Sequence, residues 1–343
     1  MSRLAVGVIG TGIMGERHCR VYSGMGDVDL VGVHDLDRDR ALPIARRYGT
    51  RYFSQLDDLL AQVDAVSVAT PTPSHAAIAI AALDRGVHVL VEKPLSHTLE
   101  AAEAIIAAAE RSGCLVQVGH IERFNPTYIE LTNVLADTRP LAITLRRLSP
   151  YESSATDVDV VCDLMIHDLD LALQLGGGWP EQIHAVGRTL HDRGVDHVVA
   201  NLSFRDGPMV TLLASRITEQ KIRDIAVVAA NAYIEADLLA KSIAIHHRTI
   251  PQYLQGQTSV KYRQESLIER IVVPATEPLL LELKHFVASV MNRTAPLVGP
   301  QQGLDALRLA HAIKRLVENP LELSTIELGA PVEIRRSRVK ETV

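Results

Sequence analysis

Val6-Gly7-Val8-Ile9-Gly10-Thr11-Gly12-Ile13-Met14-Gly15 decides the fold of the first part of this chain. The run up to Ile9 reads as a buried strand, and Gly10-x-Gly12-x-x-Gly15 follows at once. Each glycine has its own physical role. Gly10 permits a tight turn, Gly12 lets a pyrophosphate approach the backbone, and Gly15 lets the next helix pack closely on the strand. A helix opening there offers free N–H groups and a positive dipole end. Taken alone, the glycines also fit a purely structural turn. The next strand narrows the choice. Leu30-Val31-Gly32-Val33-His34 ends at Asp35, 20 residues past Gly15, where an acid accepts hydrogen bonds from adenosine ribose hydroxyls. Gly10, Thr11, Gly12, Ile13, Met14, Gly15 and Asp35 are therefore expected to hold NAD. A 2′-phosphate would be repelled by Asp35, which disfavours NADP. Arg38 either softens that preference or is a surface residue of the following helix.

Outward from the glycine loop, short apolar strands alternate with Ala-rich helical stretches. Strands are expected at Leu4–Ile9, Leu30–His34, Ala65–Ala69, Val87–Val91 and Leu115–Val118, with helices such as Ser74–Arg85 and Leu99–Ser112 between them. This alternation implies an α/β Rossmann domain with a doubly wound parallel sheet. The texture changes after Asn125-Pro126. A helix runs to about Ala136, a strand covers Leu141–Leu148, a polar loop covers Ser149–Asp159, and a helix covers Val160–Leu175. From Gln182 to Val273 successive strands follow, with Arg205-Asp206-Gly207-Pro208 as a hairpin connection. Two helices close the pattern, Pro278–Asn292 and Gly303–Glu318. The expected division is a Rossmann domain over 1–122, an α+β domain with a mainly antiparallel sheet over 123–325, and a charged tail over 326–343.

Composition limits the function. With 343 residues the chain has room for two domains. Hydrophobic residues are 47% but aromatics only 4%, so aliphatic side chains must fill the cores. A net charge of −6 argues against nucleic-acid or membrane partners. Cys19, Cys114 and Cys162 match neither a disulfide framework nor a zinc pattern. No metal is expected. The N-terminal strand leaves no room for a signal peptide, and no uncharged apolar run reaches the ~18 residues of a membrane span. A cytoplasmic protein is expected.

Two further motifs carry chemistry. Glu92-Lys93-Pro94 lies at the carboxyl end of a strand, outside which ligands bind in open α/β sheets. Asp163 and His167 stand four apart on one helix face. A carboxylate and an imidazole there suit proton removal from an alcohol, the acid either raising the pKa of His167 or orienting the substrate.

Together these motifs resemble the Gfo/Idh/MocA oxidoreductase family over nearly the whole chain. The resemblance includes Ala69-Thr70-Pro71 with His75, and Phe286, Pro296, Gly303-Leu304 and Ala306-Leu307-Arg308. It implies an NAD(P)-dependent dehydrogenase or reductase acting on CH–OH groups of a sugar or related polyol, which with Asp35 reads as an NAD-dependent enzyme. Lys93 and His167 would lie beside the nicotinamide and Asp163 near the substrate. Thr70, Pro71, His75, Glu92 and Arg123 would join the cofactor site, and Asn125 the substrate site; the alternative for His120-Ile121-Glu122-Arg123 is domain-linker packing and an ion pair. The resemblance also implies a cis Lys93–Pro94 peptide and a homodimer or homotetramer formed through the second sheet. Gly119-His120-Ile121-Glu122-Arg123-Phe124-Asn125-Pro126 and Asp163–Asp170 are similar to the family's nucleotide-sugar dehydrogenases, which oxidise C3 of a UDP-N-acetylhexosamine or its uronate. Arg146, Arg147 and Tyr151 are candidates for a diphosphate. An inositol-type polyol dehydrogenase and a non-catalytic NAD(P)-binding regulator are the alternatives. Whether Lys93 or His167 is the base stays open at this level.

Overall fold

In the computed structural model, residues 3–151, 159–191, 194–248, 252–255, 260–263 and 267–319 are described. The expected charged tail lies outside them, as does most of the expected polar loop before Asp159.

The chain opens with β1 (Leu4–Ile9), α1 (Ile13–Ser23), β2 (Val28–His34), α2 (Arg38–Arg47), β3 (Arg51–Phe53) and α3 (Leu56–Leu60). It continues with β4 (Ala65–Val68), α4 (His75–Leu83), β5 (His88–Glu92), α5 (Leu99–Ser112) and β6 (Val116–Gly119). These strands form a parallel sheet in the order β3-β2-β1-β4-β5-β6. Every residue of β4 and β6 is buried, because helices cover both faces of the sheet. Local signals set the helix ends. In α5 the Thr98 hydroxyl accepts a hydrogen bond from Ala101 N, and Gly113 at φ 67° stops the helix in the left-handed conformation. Among these strands only β3 is not expected from the sequence. It has three residues, too few for a periodic signal.

The second half begins with a 3-10 turn at Ile121–Phe124, then α6 (Pro126–Leu135) and β7 (Pro140–Leu148). A π-helical turn at Val161–Met165 leads straight into α7 (Ile166–Leu175). The strands β8 (Gln182–Arg188), β9 (His197–Ser203), β10 (Met209–Ser215), β11 (Ile222–Ala229), β12 (Ala232–Asp237) and β13 (Ser242–His247) follow. Then come β14 (Gln252–Gln255), β15 (Val260–Arg263), β16 (Leu267–Ile271), α8 (Pro278–Asn292) and α9 (Pro300–Glu318). The larger sheet has the order β16-β13-β12-β11-β7-β10-β9-β8. Its pairings are antiparallel except for β10 against β7.

One face of this sheet is core. Ile143, Leu145, Leu212, Ile225, Val227 and Ile234 pack there with Leu131 of α6 and Leu169 of α7. The closing helices tie the two sheets together. On α8, Leu283, Phe286 and Val287 join the core of β1, with Val6 and Val8. On α9, Leu304 and Leu307 pack with Val118 of β6, while Leu309 and Ile313 pack into the second core. Burying each of these apolar side chains contributes about 1.5–3 kcal/mol. A Cβ on Gly303 would stand 2.7 Å from Val118 Cγ2, so only glycine lets α9 lie this close to β6.

Candidate active site

The glycine loop sits where strand order reverses, between β1 and β4. Gly10 has φ +87°, and a Cβ on it would lie 2.6 Å from the Ala69 carbonyl oxygen. A Cβ on Gly15 would lie 1.8 Å from the Gly10 carbonyl oxygen. Gly12 differs: a Cβ there meets nothing within 4 Å. The protein leaves that space open, as an approaching pyrophosphate requires. Thr11 donates to Asp35 Oδ2 from its backbone N at 2.6 Å and its hydroxyl at 2.7 Å, and Asp37 N donates to Oδ1 at 2.9 Å. Burial pushes the Asp35 carboxyl up, but these hydrogen bonds prevail and hold it below the usual carboxylate range. A cleft of about 980 Å³ runs past Gly10, Gly12, Asp35, Leu36, Thr70 and Pro71. Its size, its open glycine and its ionised acid fit a dinucleotide. Arg40, rather than Arg38, stands in its wall, 3.6 Å from Asp37.

At the end of β5 the Lys93–Pro94 peptide is cis. Lys93 Nζ donates to the Asp163 carbonyl at 2.7 Å and to Asp163 Oδ1 at 3.3 Å. Asp163 reaches it from the π turn, whose start is fixed by Asp159. Asp159 Oδ1 accepts from Val161 N and Cys162 N, both at 3.0 Å, and Lys314 of α9 holds Asp159 Oδ2 at 2.8 Å. π turns recur at functional sites because they re-aim a side chain. His167 lies four residues on, half-buried, and its Nδ1 makes no hydrogen bond. Burial holds its pKa well below the ordinary histidine value, reinforced by Lys93, Arg147, His120 and Arg223. The expectation that Asp163 raises the pKa of His167 is therefore corrected. Its carboxylate is turned to Lys93, and cations surround the imidazole.

Several expected site residues serve as supports. Glu92 is buried against His18 Nε2 at 3.0 Å; burial opposes its charge, but His18 and Lys93 keep its pKa low. His75 links Pro94 O at 2.9 Å and Thr70 O at 2.8 Å, clasping the loops after β5 and β4. Asn125 caps α6 by accepting from Thr127 N at 3.0 Å and donates to Glu122 Oε2 at 2.9 Å. Arg123 is buried, 3.9 Å from Asp170, and lines a cavity distinct from the glycine-loop cleft. Nor are the arginines of β7 free for a diphosphate. Arg147 is 1% exposed, with Asp168 at 2.7 Å and Glu122 at 2.9 Å. Arg146 points to the opposite sheet face and pairs with Asp224 at 2.9 and 2.5 Å. Tyr151 stacks on His191, centroids 3.9 Å apart.

Sequence reasoning did not identify Arg147 as the cation shared by Glu122 and Asp168, nor give the buried His120 a role of its own. A signal existed: Asp168 and Asp170 fall among Ile166, Leu169 and Leu171, and a buried acid needs a cation.

Known proteins resemble this chain in both of its halves. A family model described as "Oxidoreductase family, NAD-binding Rossmann fold" matches residues 4–120, and one described as "GFO/IDH/MocA C-terminal domain" matches residues 138–235. The chain is 36% identical over 254 residues to a UDP-N-acetylglucosamine 3-dehydrogenase of Acidithiobacillus ferrooxidans, covering 73% of this chain and 80% of the relative. The crystal structure of UDP-N-acetylglucosamine 3-dehydrogenase GnnA from that organism superposes with a TM-score of 0.84 at 31% identity, covering 93% of this chain and 99% of the other. An inositol 2-dehydrogenase of Rubrobacter xylanophilus is also 36% identical, but over 178 residues, 50% of this chain and 51% of the relative.

Proposed function

The chain belongs to the Gfo/Idh/MocA oxidoreductase family, and we propose that within it the protein is an NAD-dependent dehydrogenase oxidising C3 of a UDP-N-acetylhexosamine or its uronate. The observation that carries this reading is the meeting of Lys93, Asp163 and His167 at the sheet end beside the glycine-loop cleft. Gly10–Gly15, Asp35, Thr70 and Pro71 would hold the cofactor, whose nicotinamide, when bound, accepts the hydride.

The chain's own residues handle the proton and the charge. His167 is kept neutral by burial and by Lys93, so it has a lone pair ready for the hydroxyl proton. The Lys93 ammonium is the donor. By turning from the Asp163 carbonyl, it hydrogen-bonds the same hydroxyl oxygen and stabilises developing negative charge. Asp163 steers Lys93 and is open enough to meet a sugar hydroxyl, its side chain being 39% exposed. This division favours His167 over Lys93 as the base.

NAD is the better fit because Asp35 is held ionised where a 2′-phosphate would sit. A UDP-linked sugar is supported over inositol by identity and length together: 36% over 73% of this chain for the UDP-N-acetylglucosamine enzyme, against 36% over 50% or 25% over 93% for inositol 2-dehydrogenases. A non-catalytic regulator would need no lysine and neutral histidine at this point. Among the described residues no helix is long and apolar enough to cross a membrane. The three free cysteines fit a reducing, cytoplasmic compartment. The outer face of the second sheet, carrying exposed Val186, Met209 and Val228, is the surface through which we expect the chain to self-associate.

The test is NADH formation from UDP-N-acetylglucosamine or myo-inositol, with NAD and NADP in parallel. UDP-N-acetylglucosamine with NAD is expected to turn over. Lys93→Met and His167→Asn should bind NADH normally and lose about 100-fold or more in kcat. Near-normal turnover in both variants would remove the mechanism. Turnover of inositol alone would move the substrate class, and NADH binding without turnover of any sugar would favour the regulator.

A further inference from the structure

Behind the reacting end, a polar stripe runs along α7 and the turn before it. Asp163, His167, Asp170 and Gln174 are spaced by four, three and four residues, which puts them on one helix face. At the far end Asp170 and Gln174 line a cavity of about 570 Å³ together with Arg123, Trp179 and Arg308. Trp179 is 50% exposed, so this cavity reaches solvent.

Between the two ends sits His120, buried at the end of β6. Neither of its ring nitrogens has a hydrogen-bond partner, and the same holds for His167 Nδ1 and Asp170 Oδ2. The nearest cation to Asp170 Oδ2 is Arg123 Nε at 3.9 Å, beyond hydrogen-bond length. These groups are close enough to act on one another: His120 on His167, and Asp170, Lys93, Arg123 and Glu92 on His120. Buried polar atoms are normally satisfied by protein or by ordered water, and four unpartnered ring and carboxylate atoms here call for water as their partner.

His120 also differs from the other buried imidazoles. His75 has both ring nitrogens on carbonyls. His18 is tied to Glu92 through Nε2, and His34 to the Phe53 carbonyl through Nδ1. A ring that passes a proton on needs one nitrogen to receive it and the other to release it, and His120 has both available.

We propose that His120 and Asp170, bridged by water, carry the proton of the oxidised alcohol from His167 to the cavity between α7 and α9. This inference rests on His167 being the base. In the oxidation the hydroxyl O–H bond breaks and its proton goes to His167. The carbinol C–H bond breaks, its electron pair leaves with the hydrogen as hydride to the nicotinamide, and a C=O bond forms. One proton remains on His167 after each turnover. His167 Nδ1, buried and without a hydrogen-bond partner, is the ring atom left to pass it on. Water carries the proton to one nitrogen of His120, whose other nitrogen releases its own proton towards Asp170 and solvent. Burial keeps His120 neutral against the pull of Asp170, with Lys93 and Arg123 reinforcing it. The ring therefore accepts a proton without retaining it.

The test uses full-length His120→Leu and Asp170→Asn, checked for folding by thermal melting and for NADH affinity. With NADH affinity and KM unchanged, kcat should fall about tenfold or more. The solvent deuterium effect on kcat should grow, and added imidazole should restore part of the turnover of His120→Leu. Wild-type kcat and solvent isotope effect in both folded variants would overturn the proposal. Should His120→Leu fail to fold, the isosteric Asp170→Asn carries the kinetic test alone. A high-resolution crystal structure of the wild type gives a readout that needs no substrate. Ordered waters joining His167 Nδ1, His120 and Asp170 support the route, and a dry gap there excludes it. Failure of His167 as the base is read separately, from retained turnover in His167→Asn.

Discussion

At the scale of single residues, the three loop glycines separate folding from binding. A Cβ on Gly15 would collide with the Gly10 carbonyl at 1.8 Å, a backbone atom that cannot swing away, whereas a Cβ on Gly12 meets no protein atom within 4 Å. Gly15→Ala should therefore cost about 3 kcal/mol or more in stability. Gly12→Ala should melt like the wild type yet bind NADH about tenfold or more weakly, through loss of close pyrophosphate approach. Calorimetric melting beside NADH fluorescence titration checks both, and a Gly12→Ala protein with full NADH affinity would deny the loop its phosphate role. The loop and Asp35 were legible in the sequence because backbone geometry and a fixed spacing define what they do. Arg123 and Asn125 were harder to read. What each side chain touches depends on α7, α6 and the long-range neighbours Asp170 and Leu238, and local pattern carries no record of those.

At the scale of elements, the position of α8 decides a titration. Glu282 lies on the same face as Leu279, Leu283 and Phe286, so docking that face on the first core buries the carboxyl completely. Neither of its oxygens finds a partner. Burial, and then the charges of Glu92 and Glu122, hold its pKa well above the ordinary value of 4.5. The sign follows from the proton count. Above the unfolded-state pKa the native chain keeps a proton that the unfolded chain has released, so this group costs stability as pH rises towards its folded-state pKa. Glu282→Gln removes that cost. Its advantage over the wild type should be negligible near pH ~4 and grow by about 1.4 kcal/mol per pH unit across the window. Urea unfolding of both proteins at several pH values tests this, and a gain that does not change with pH would mean Glu282 is ionised in the fold. The helix itself is legible in the sequence at about Pro278–Asn292. Its docking partner was not legible, because amphipathicity says which face is buried and not against which sheet. The π turn before α7 was also hidden, since one extra residue in a turn leaves the apolar spacing of Val161, Met165 and Leu169 almost unchanged.

At the scale of the whole molecule, the second sheet has two unlike faces. One packs on α6 and α7 and carries Arg147 towards the reacting end. The other leaves Val186, Met209, Val228, Tyr233 and Ile268 exposed by 58%, 66%, 44%, 40% and 47%. Exposed apolar residues gathered on one face suit an association surface, and a two-fold axis would bring that face against its own copy. A stable interface there should bury on the order of 1,600 Å². The wild type is therefore expected to elute as a dimer or tetramer in light-scattering chromatography, with Val228→Asp shifting the mass towards the monomer. Val228 alternates with the core residue Val227 and points away from Lys93, His167 and the glycine loop. NADH affinity should thus survive the substitution, whereas a misfolded variant would lose both. A wild-type monomer at every concentration, or an oligomer indifferent to Val228→Asp, would move the interface away from this face.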